Sequence, residues 1–144
     1  MGCLLVIGAF VLPGVAGYFY LRSPHFSGST ATAVDITMRS PISWTAGSKV
    51  LMQASIIEAP ACASLLDLLR SARIHMEHKC ADIGVFTIRY TNGKTDTLNF
   101  LPGHDPTRYE FRFGGRLYRL PREHFYQVLR EAGVDTTKMP ESEH

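Results

Sequence analysis

One short segment in the middle of the chain concentrates side chains that bind metals. The segment HMEHKC, residues 75–80, supplies two imidazoles, a thioether and a thiol. Soft and borderline metals such as copper and zinc accept these donor groups. The alternative hypothesis for the function of this chain is therefore a metal-binding or redox accessory protein that uses His75, His78 and Cys80, with Met76 or Cys62 as a further donor. Their spacing matches no recognised motif, and the sequence favours a polar loop in which Cys80 packs as a small hydrophobic residue.

A second group of residues concentrates positive charge. The arginines are Arg108, Arg112, Arg116, Arg119 and Arg122. Guanidinium groups bind phosphates, anionic headgroups and carboxylates, so Arg108, Arg112 and Arg119 predict a surface for an anionic partner or an acidic protein. The alternative is a solvated face on which the arginines pair with Glu110, and such exposed pairs contribute little. The formal net charge of only +2 argues against a nucleic-acid partner.

A histidine next to an aspartate is the remaining candidate for catalysis. His104-Asp105 resembles a general base with its orienting carboxylate, and a serine or threonine brought to His104 would make a small hydrolase. Adjacent side chains rarely face each other, however, and the Pro-Gly-His-Asp-Pro run is typical of a tight turn. The chain contains no G-x-S-x-G, P-loop or H-E-x-x-H motif. The sequence therefore favours a small interaction or accessory domain without catalytic activity.

These residues must be positioned by short strands and two helices. The stretches 33–38 and 49–58 are β-branched or alternating and predict two strands. Pro60 stands where a first-turn proline is tolerated, and leucines at helical spacing follow it, which predicts a helix of about four turns. A second helix is predicted from Pro121 to Gly133, with a glycine as its stop signal.

Two tight hairpins are predicted between the helices. Asn-Gly at 92–93 between apolar runs is a strong hairpin signal. Matching the apolar faces across a three-residue loop favours a register with Ile88 opposite Leu98. Gly-Gly at 114–115 predicts the second turn and places Phe111 opposite Tyr118. On the other face of that hairpin, Glu110 and Arg119 are expected to lie opposite each other.

The order of these elements predicts an α+β domain over residues 33–134. Strands joined by tight hairpins form antiparallel sheets, so we expect one antiparallel sheet of about four to six strands with two helices on one face. Residues 23–32 are rich in Ser, Thr, Gly and Pro and predict a flexible spacer. Residues 135–144 predict a polar tail.

The N-terminal segment, residues 1–22, predicts a transmembrane anchor. No charged side chain occurs from Met1 to Leu21, and about twenty apolar residues suffice to cross the hydrocarbon layer. Residues 3–21 would contact the membrane and tether the domain, which we expect on the extracytoplasmic side, in the cell envelope. The alternative is a cleaved signal peptide, with small residues at 15–17 for cleavage and a secreted product.

Length and composition indicate a single folded domain. The chain has 144 residues, 45% of them hydrophobic and 19% charged, which is ordinary for a globular protein. Of its three cysteines, Cys3 lies in the predicted anchor, so at most one disulfide, between Cys62 and Cys80, is available to the domain. A bridge requires the two α-carbons to come within about 7 Å, and the predicted helix separates them.

Overall fold

The computed structural model describes residues 23–40, 48–101 and 103–140. The predicted anchor or signal segment, residues 1–22, lies outside the described residues. Within the described part of the chain, no helix is both long and apolar enough to span a membrane.

Seven strands form one antiparallel sheet in the described part of the chain. The strands are β1 (Ala31–Arg39), β2 (Val50–Ile56), β3 (Arg73–His75), β4 (Gly84–Tyr90), β5 (Thr95–Leu101), β6 (Arg108–Phe113) and β7 (Arg116–Pro121). Their order across the sheet is β2-β1-β4-β5-β6-β7-β3. The helices are α1 (Ala59–Arg70), α2 (Arg122–Glu131) and a 3-10 turn (Thr136–Lys138). The α+β prediction of one antiparallel sheet with two helices is confirmed.

The sheet has one strand more than the predicted maximum of six. The additional strand is β3, in which Ile74 lies opposite Tyr118 of β7. Three residues are too few to show the alternation that identifies a strand in a sequence. β3 pairs with the edge strand β7, and the paired residues Ile74 and Tyr118 are 44 residues apart along the chain.

Both predicted helices are present, although α1 has 12 residues and is slightly shorter than the four turns predicted. In α1, Pro60 stands in the first turn and needs no hydrogen-bonded N–H there, while Arg70 lies in the last turn, where a cation is favoured by the helix dipole. The buried residues of α1 are Cys62, Leu65, Leu66, Leu68 and Leu69. In α2, Phe125, Val128 and Leu129 are buried at helical spacing.

The register predicted for the hairpin of β4 and β5 is wrong by two residues. Ile88 lies opposite Asp96 instead of Leu98. The Gly93 amide donates to the Tyr90 carbonyl at 3.0 Å, and Gly93 takes a left-handed φ of 76°. A shift of two residues leaves every side chain on its predicted face. The observed register places the Asp96 carboxylate 2.9 Å from the Tyr90 hydroxyl, which donates to it.

The hairpin of β6 and β7 has the predicted register. Phe111 lies opposite Tyr118, and Glu110 lies opposite Arg119. Both glycines of the connecting turn have left-handed φ, 57° and 73°, which residues with a Cβ adopt only with strain. The turn therefore determines which residues of β6 and β7 lie opposite each other.

The helices cover one face of the sheet and form the hydrophobic core with it. Phe100 of β5 stacks on Phe125 of α2 with ring centroids 5.4 Å apart, and Phe86, Tyr109 and Phe111 are buried around them. Each fully buried aromatic side chain of this kind stabilises the fold by roughly 2 to 3 kcal/mol. Because side chains alternate along β6, this core directs Glu110 and Arg112 to the opposite face.

Residues 23–32, for which the sequence predicted a spacer, contact the domain, and β1 begins within them. The ring of Phe26 stacks on Phe113 at a centroid distance of 4.8 Å. The Ser27 amide and hydroxyl donate to the buried Asp96 carboxylate at 2.6 Å and 2.5 Å. In the predicted polar tail, Met139 is also buried.

Candidate metal centre

Arg112 holds the connection between β3 and β4 on the face of the sheet opposite α1 and α2. Its guanidinium donates to Glu77 Oε1 at 2.6 Å and to Asp82 Oδ1 at 2.7 Å. It also donates to the backbone carbonyls of His78 at 2.8 Å and Cys80 at 3.3 Å. One planar group with five N–H donors thus binds both ends and the middle of this connection.

The charges around Arg112 keep its guanidinium protonated. Partial burial acts to lower the pKa of Arg112, but the hydrogen bond and the charge of Glu77, together with those of Asp82, outweigh it and raise the pKa above its ordinary value. A charged donor makes stronger hydrogen bonds to carbonyl and carboxylate oxygens than a neutral one. The position of His78 and Cys80 is therefore set by a strand residue and not by the loop alone.

Three side chains with metal-binding atoms converge beside this connection. The Cys80 Sγ lies 3.1 Å from His78 Nδ1 and 3.3 Å from His104 Nε2. The three ligand atoms all lie within 4.8 Å of one another. His104 comes from the connection between β5 and β6, so two separate connections of the fold supply the cluster.

A buried carboxylate of β6 holds the second nitrogen of His78. Glu110 Oε2 lies 2.5 Å from His78 Nε2, and only 4% of the Glu110 side chain is exposed. When Nε2–H donates to this carboxylate, the lone pair of Nδ1 faces the Cys80 sulfur. Gly103 packs beside the Glu110 side chain, since a Cβ added at Gly103 would lie 3.6 Å from it. The φ of Gly103 is left-handed, at 67°.

The set of clustered residues differs from the predicted set by one histidine. The sequence predicted His75, His78 and Cys80, and the structure brings His78 and Cys80 together with His104. His75 Nε2 instead lies 3.8 Å from the other oxygen of Glu110. Met76, the further predicted donor, is 81% exposed. The reason is topological, because β3 extends His75 along the sheet edge whereas the β5–β6 connection directs His104 toward Cys80.

The distances among the three donor atoms can be compared with those of a tetrahedral metal site. Zinc binds a thiolate at about 2.3 Å and an imidazole nitrogen at about 2.05 Å, which separates sulfur from nitrogen by about 3.6 Å in a tetrahedron. The observed sulfur–nitrogen separations of 3.1 Å and 3.3 Å would have to open by a few tenths of an ångström. The same tetrahedron separates the two nitrogens by about 3.3 Å. The imidazoles, whose nitrogens lie within 4.8 Å of each other, would therefore also have to approach. Glu110 occupies the position of the carboxylate that typically orients a metal-bound histidine.

The three arginines predicted to bind an anionic partner have different environments. Arg112 binds the β3–β4 connection, a structural role that the sequence did not indicate. Arg108 and Arg119 are partly exposed on β6 and β7, and both act to lower the pKa of the Asp105 carboxyl. Arg119 lies opposite Glu110 as predicted, while the Glu110 carboxylate is directed to the histidines. Anion binding by these arginines stays a prediction.

His104 and Asp105, the remaining candidates for catalysis, have different partners in the structure. The Asp105 carboxylate accepts hydrogen bonds from the Thr107 hydroxyl at 2.6 Å and the Thr107 amide at 2.8 Å. These hydrogen bonds are the main reason that the pKa of Asp105 is lowered. Asp105 therefore closes the turn that carries His104, and the imidazole of His104 faces Cys80 instead.

No disulfide joins Cys62 and Cys80. Cys62 is a buried residue of α1 on the helix side of the sheet, and Cys80 lies on the opposite side, where Arg112 holds its backbone. Burial raises the pKa of the Cys62 thiol, with a smaller contribution from the charge of Glu58. The two thiols therefore differ strongly in accessibility and in neighbouring groups.

The His78, Cys80 and His104 cluster was compared with known proteins through the whole chain. No family model, curated protein or solved structure matches this chain.

Proposed function

We propose that this protein binds one zinc or copper ion through His78 Nδ1, Cys80 Sγ and His104 Nε2, and acts as a metal-binding accessory protein. The observation that carries the proposal is the convergence of these three ligand atoms within 4.8 Å. Two imidazoles and one thiolate form a donor set that suits both zinc and copper.

The surroundings of the three ligands support a preorganised site. Arg112 holds the backbone of His78 and Cys80, so little chain entropy is lost when an ion binds. Glu110 orients the His78 ring, so that its other nitrogen faces the ion. A buried carboxylate also balances part of the charge that a divalent cation brings to the site.

Three protein ligands favour an accessory role over a purely structural one. Structural zinc sites usually contain four protein ligands, whereas three leave a position for water or for a donor from another molecule. His104 is exposed at the rim of the cluster, so an incoming donor can reach that position. These features are those of a site that takes up or hands over its ion.

The rival prediction, a membrane-tethered interaction domain, depends on other parts of the molecule. Its tether is predicted over residues 3–21, which lie outside the described part of the chain. The two proposals are compatible, since an anchored domain can also bind a metal.

The proposal is tested by metal content and affinity of the purified full chain. The chain is stripped with a chelator, offered equimolar zinc, copper or cobalt against a chromophoric competitor, and then analysed for bound ion. We expect one ion per chain, and for cobalt an absorption band from thiolate coordination. Cys80→Ser and His104→Gln should each weaken binding by at least about tenfold, since each removes one of three ligands.

Matched controls separate the site from unspecific binding. His124→Gln alters an exposed histidine of α2, and Cys62→Ala alters the cysteine on the opposite side of the sheet. Both variants should bind the ion like the unaltered chain. A full chain that loses all ions to the competitor, or a Cys80→Ser variant that binds as tightly as Cys62→Ala, would contradict the proposal.

A further inference from the structure

The sulfur of Cys80 has an environment that suits a reactive thiol. It lies between two imidazole nitrogens, at 3.1 Å and 3.3 Å, and its residue is partly exposed. Reactive cysteines are typically accessible and adjacent to groups that accept the thiol proton or stabilise the thiolate. A buried thiol without such neighbours is inert, and Cys62, with no exposed surface, is the matching reference within the same chain.

We propose that Cys80 is a redox-sensitive thiol that a hydroperoxide oxidises to a sulfenic acid, and that this oxidation releases the metal ion. The oxidation itself concerns the metal-free protein and is independent of the proposed function. Only the release of the ion depends on the metal site.

The oxidation step balances with a hydroperoxide as the only co-reactant. The Cys80 sulfur attacks one oxygen of the peroxide, so an S–O bond forms and the O–O bond breaks. Sulfur loses two electrons and the peroxide gains them. The thiol proton passes to the departing oxygen, which leaves as water or as an alcohol, while the oxygen bound to sulfur retains a hydrogen as the sulfenic acid.

His78 is positioned to take part in that proton transfer. Its Nδ1 lies within hydrogen-bond distance of the sulfur, and its Nε2 is held by the Glu110 carboxylate at 2.5 Å. When the thiol proton passes to Nδ1, a positive imidazolium lies between the negative sulfur and the negative carboxylate. This sequence of nucleophile, base and orienting carboxylate is the arrangement by which enzymes activate thiols.

The metal and the oxidant compete for the same sulfur. A metal-bound sulfur has donated the electron pair that attacks the peroxide, so zinc should protect Cys80 from oxidation. A sulfenic acid is a much poorer ligand than a thiolate, and its formation leaves His78 and His104 as the remaining protein donors. Oxidation would thereby convert a three-ligand site into a weaker two-ligand site.

The experiment measures where and how fast the full chain is oxidised. Metal-free protein is treated with equimolar hydrogen peroxide in the presence of dimedone, which traps sulfenic acids. Digestion with trypsin then separates the peptides that contain Cys3, Cys62 and Cys80, because a lysine or arginine lies between each pair. We expect the adduct on the Cys80 peptide at least about tenfold faster than on the Cys62 peptide, as thiol accessibility and a neighbouring base predict.

Variants test whether His78 promotes the reaction. His78→Gln should slow the trapping of Cys80 by at least about tenfold, because proton transfer by a positioned base contributes that much or more. Glu110→Gln should also slow the trapping of Cys80, and His124→Gln should leave its rate unchanged. Circular dichroism of each variant shows that the fold is retained. Equal rates at Cys80 and Cys62, or a His78→Gln rate equal to that of His124→Gln, would overturn the proposal.

A second arm loads the chain with zinc before peroxide is added. We expect slower trapping of Cys80 and a release of zinc in proportion to the adduct formed. A chain that binds no zinc would refute the metal site, while its metal-free oxidation rate would still decide the redox proposal. A chain that binds zinc but whose Cys80 resists peroxide after zinc removal would refute the redox proposal alone.

Discussion

Replacement of Arg112 by methionine tests how the site is held together. Methionine keeps an unbranched stem of similar length but removes all N–H donors of the guanidinium. The variant therefore loses the hydrogen bonds to the side chains of Glu77 and Asp82 and to the carbonyls of His78 and Cys80. The aromatic core on the helix side of the sheet is not touched.

The expected loss follows from the exposure of each partner. Glu77 and Asp82 are 55% and 40% exposed, so solvent screens their ion pairs with Arg112 to roughly 0.5 kcal/mol each. The two carbonyls are partly buried, and each lost hydrogen bond costs about 1 kcal/mol. We expect a decrease of about 2 to 3 kcal/mol in the stability of the connection. If the connection unfolds together with the sheet, this decrease corresponds to roughly 10 °C in melting temperature for a domain of this size.

Two assays distinguish local from global loosening. Thermal unfolding reports the whole domain, and amide hydrogen exchange over residues 77–82 reports the connection itself. Arg73→Met is the matched control, since Arg73 is an exposed arginine of β3 near the same face. The reasoning is refuted if Arg112→Met and Arg73→Met have the same melting temperature and the same exchange rates at 77–82.

Three further predictions follow from single contacts. Glu110→Gln removes the negative charge behind His78 and should weaken zinc binding by about 10- to 100-fold in a chelator competition, with exposed Glu123→Gln as the control. The pKa of Asp105 is lowered in the folded state, so this carboxyl contributes fully to stability above its unfolded pKa of about 4. The contribution is lost as the pH falls through the lower folded pKa. In urea unfolding, the Asp105→Asn variant should therefore lose less stability between neutral pH and pH below about 4 than the unaltered chain does. Tyr90→Phe removes a donor to the buried Asp96 carboxylate and should lower the free energy of unfolding by about 1 to 3 kcal/mol, measured by urea titration. The low end of net hydrogen-bond contributions is about 0.5 kcal/mol. If the free energies of unfolding of Tyr90→Phe and the unaltered chain differ by less than this amount, the contact is not stabilising.

Local signals in the sequence were sufficient for the elements near the site. A Gly-Gly turn between alternating aromatic residues determined the register of β6 and β7, because a turn of two glycines imposes one pairing on its flanking strands. The alternation of side chains along β6 then places Glu110 and Arg112 on the face away from the aromatic core. The donor types at His78 and Cys80 also identified two of the three clustered residues.

The register of β4 and β5 shows where local signals stop. The apolar pattern favoured Leu98 opposite Ile88, but the structure places Asp96 there. A shift of two residues preserves the faces, so the hydrophobic pattern does not distinguish the two registers. The buried Asp96 carboxylate accepts hydrogen bonds from Ser27 and from Tyr90, and the Ser27 contact depends on a segment 69 residues away.

The sequence by itself determined the two helices, the two hairpins, the face of β6 that bears Glu110, and the chemical types of the donors. Only the tertiary structure decided that His104 joins the cluster in place of His75, that Glu110 is buried behind His78, and that Arg112 holds the loop. The physical reason is distance along the chain. Helical and strand periodicity report neighbours within a few residues, whereas the contacts of His104 with Cys80 and of Glu110 with His78 span 24 and 32 residues and exist only because the sheet order brings their connections together.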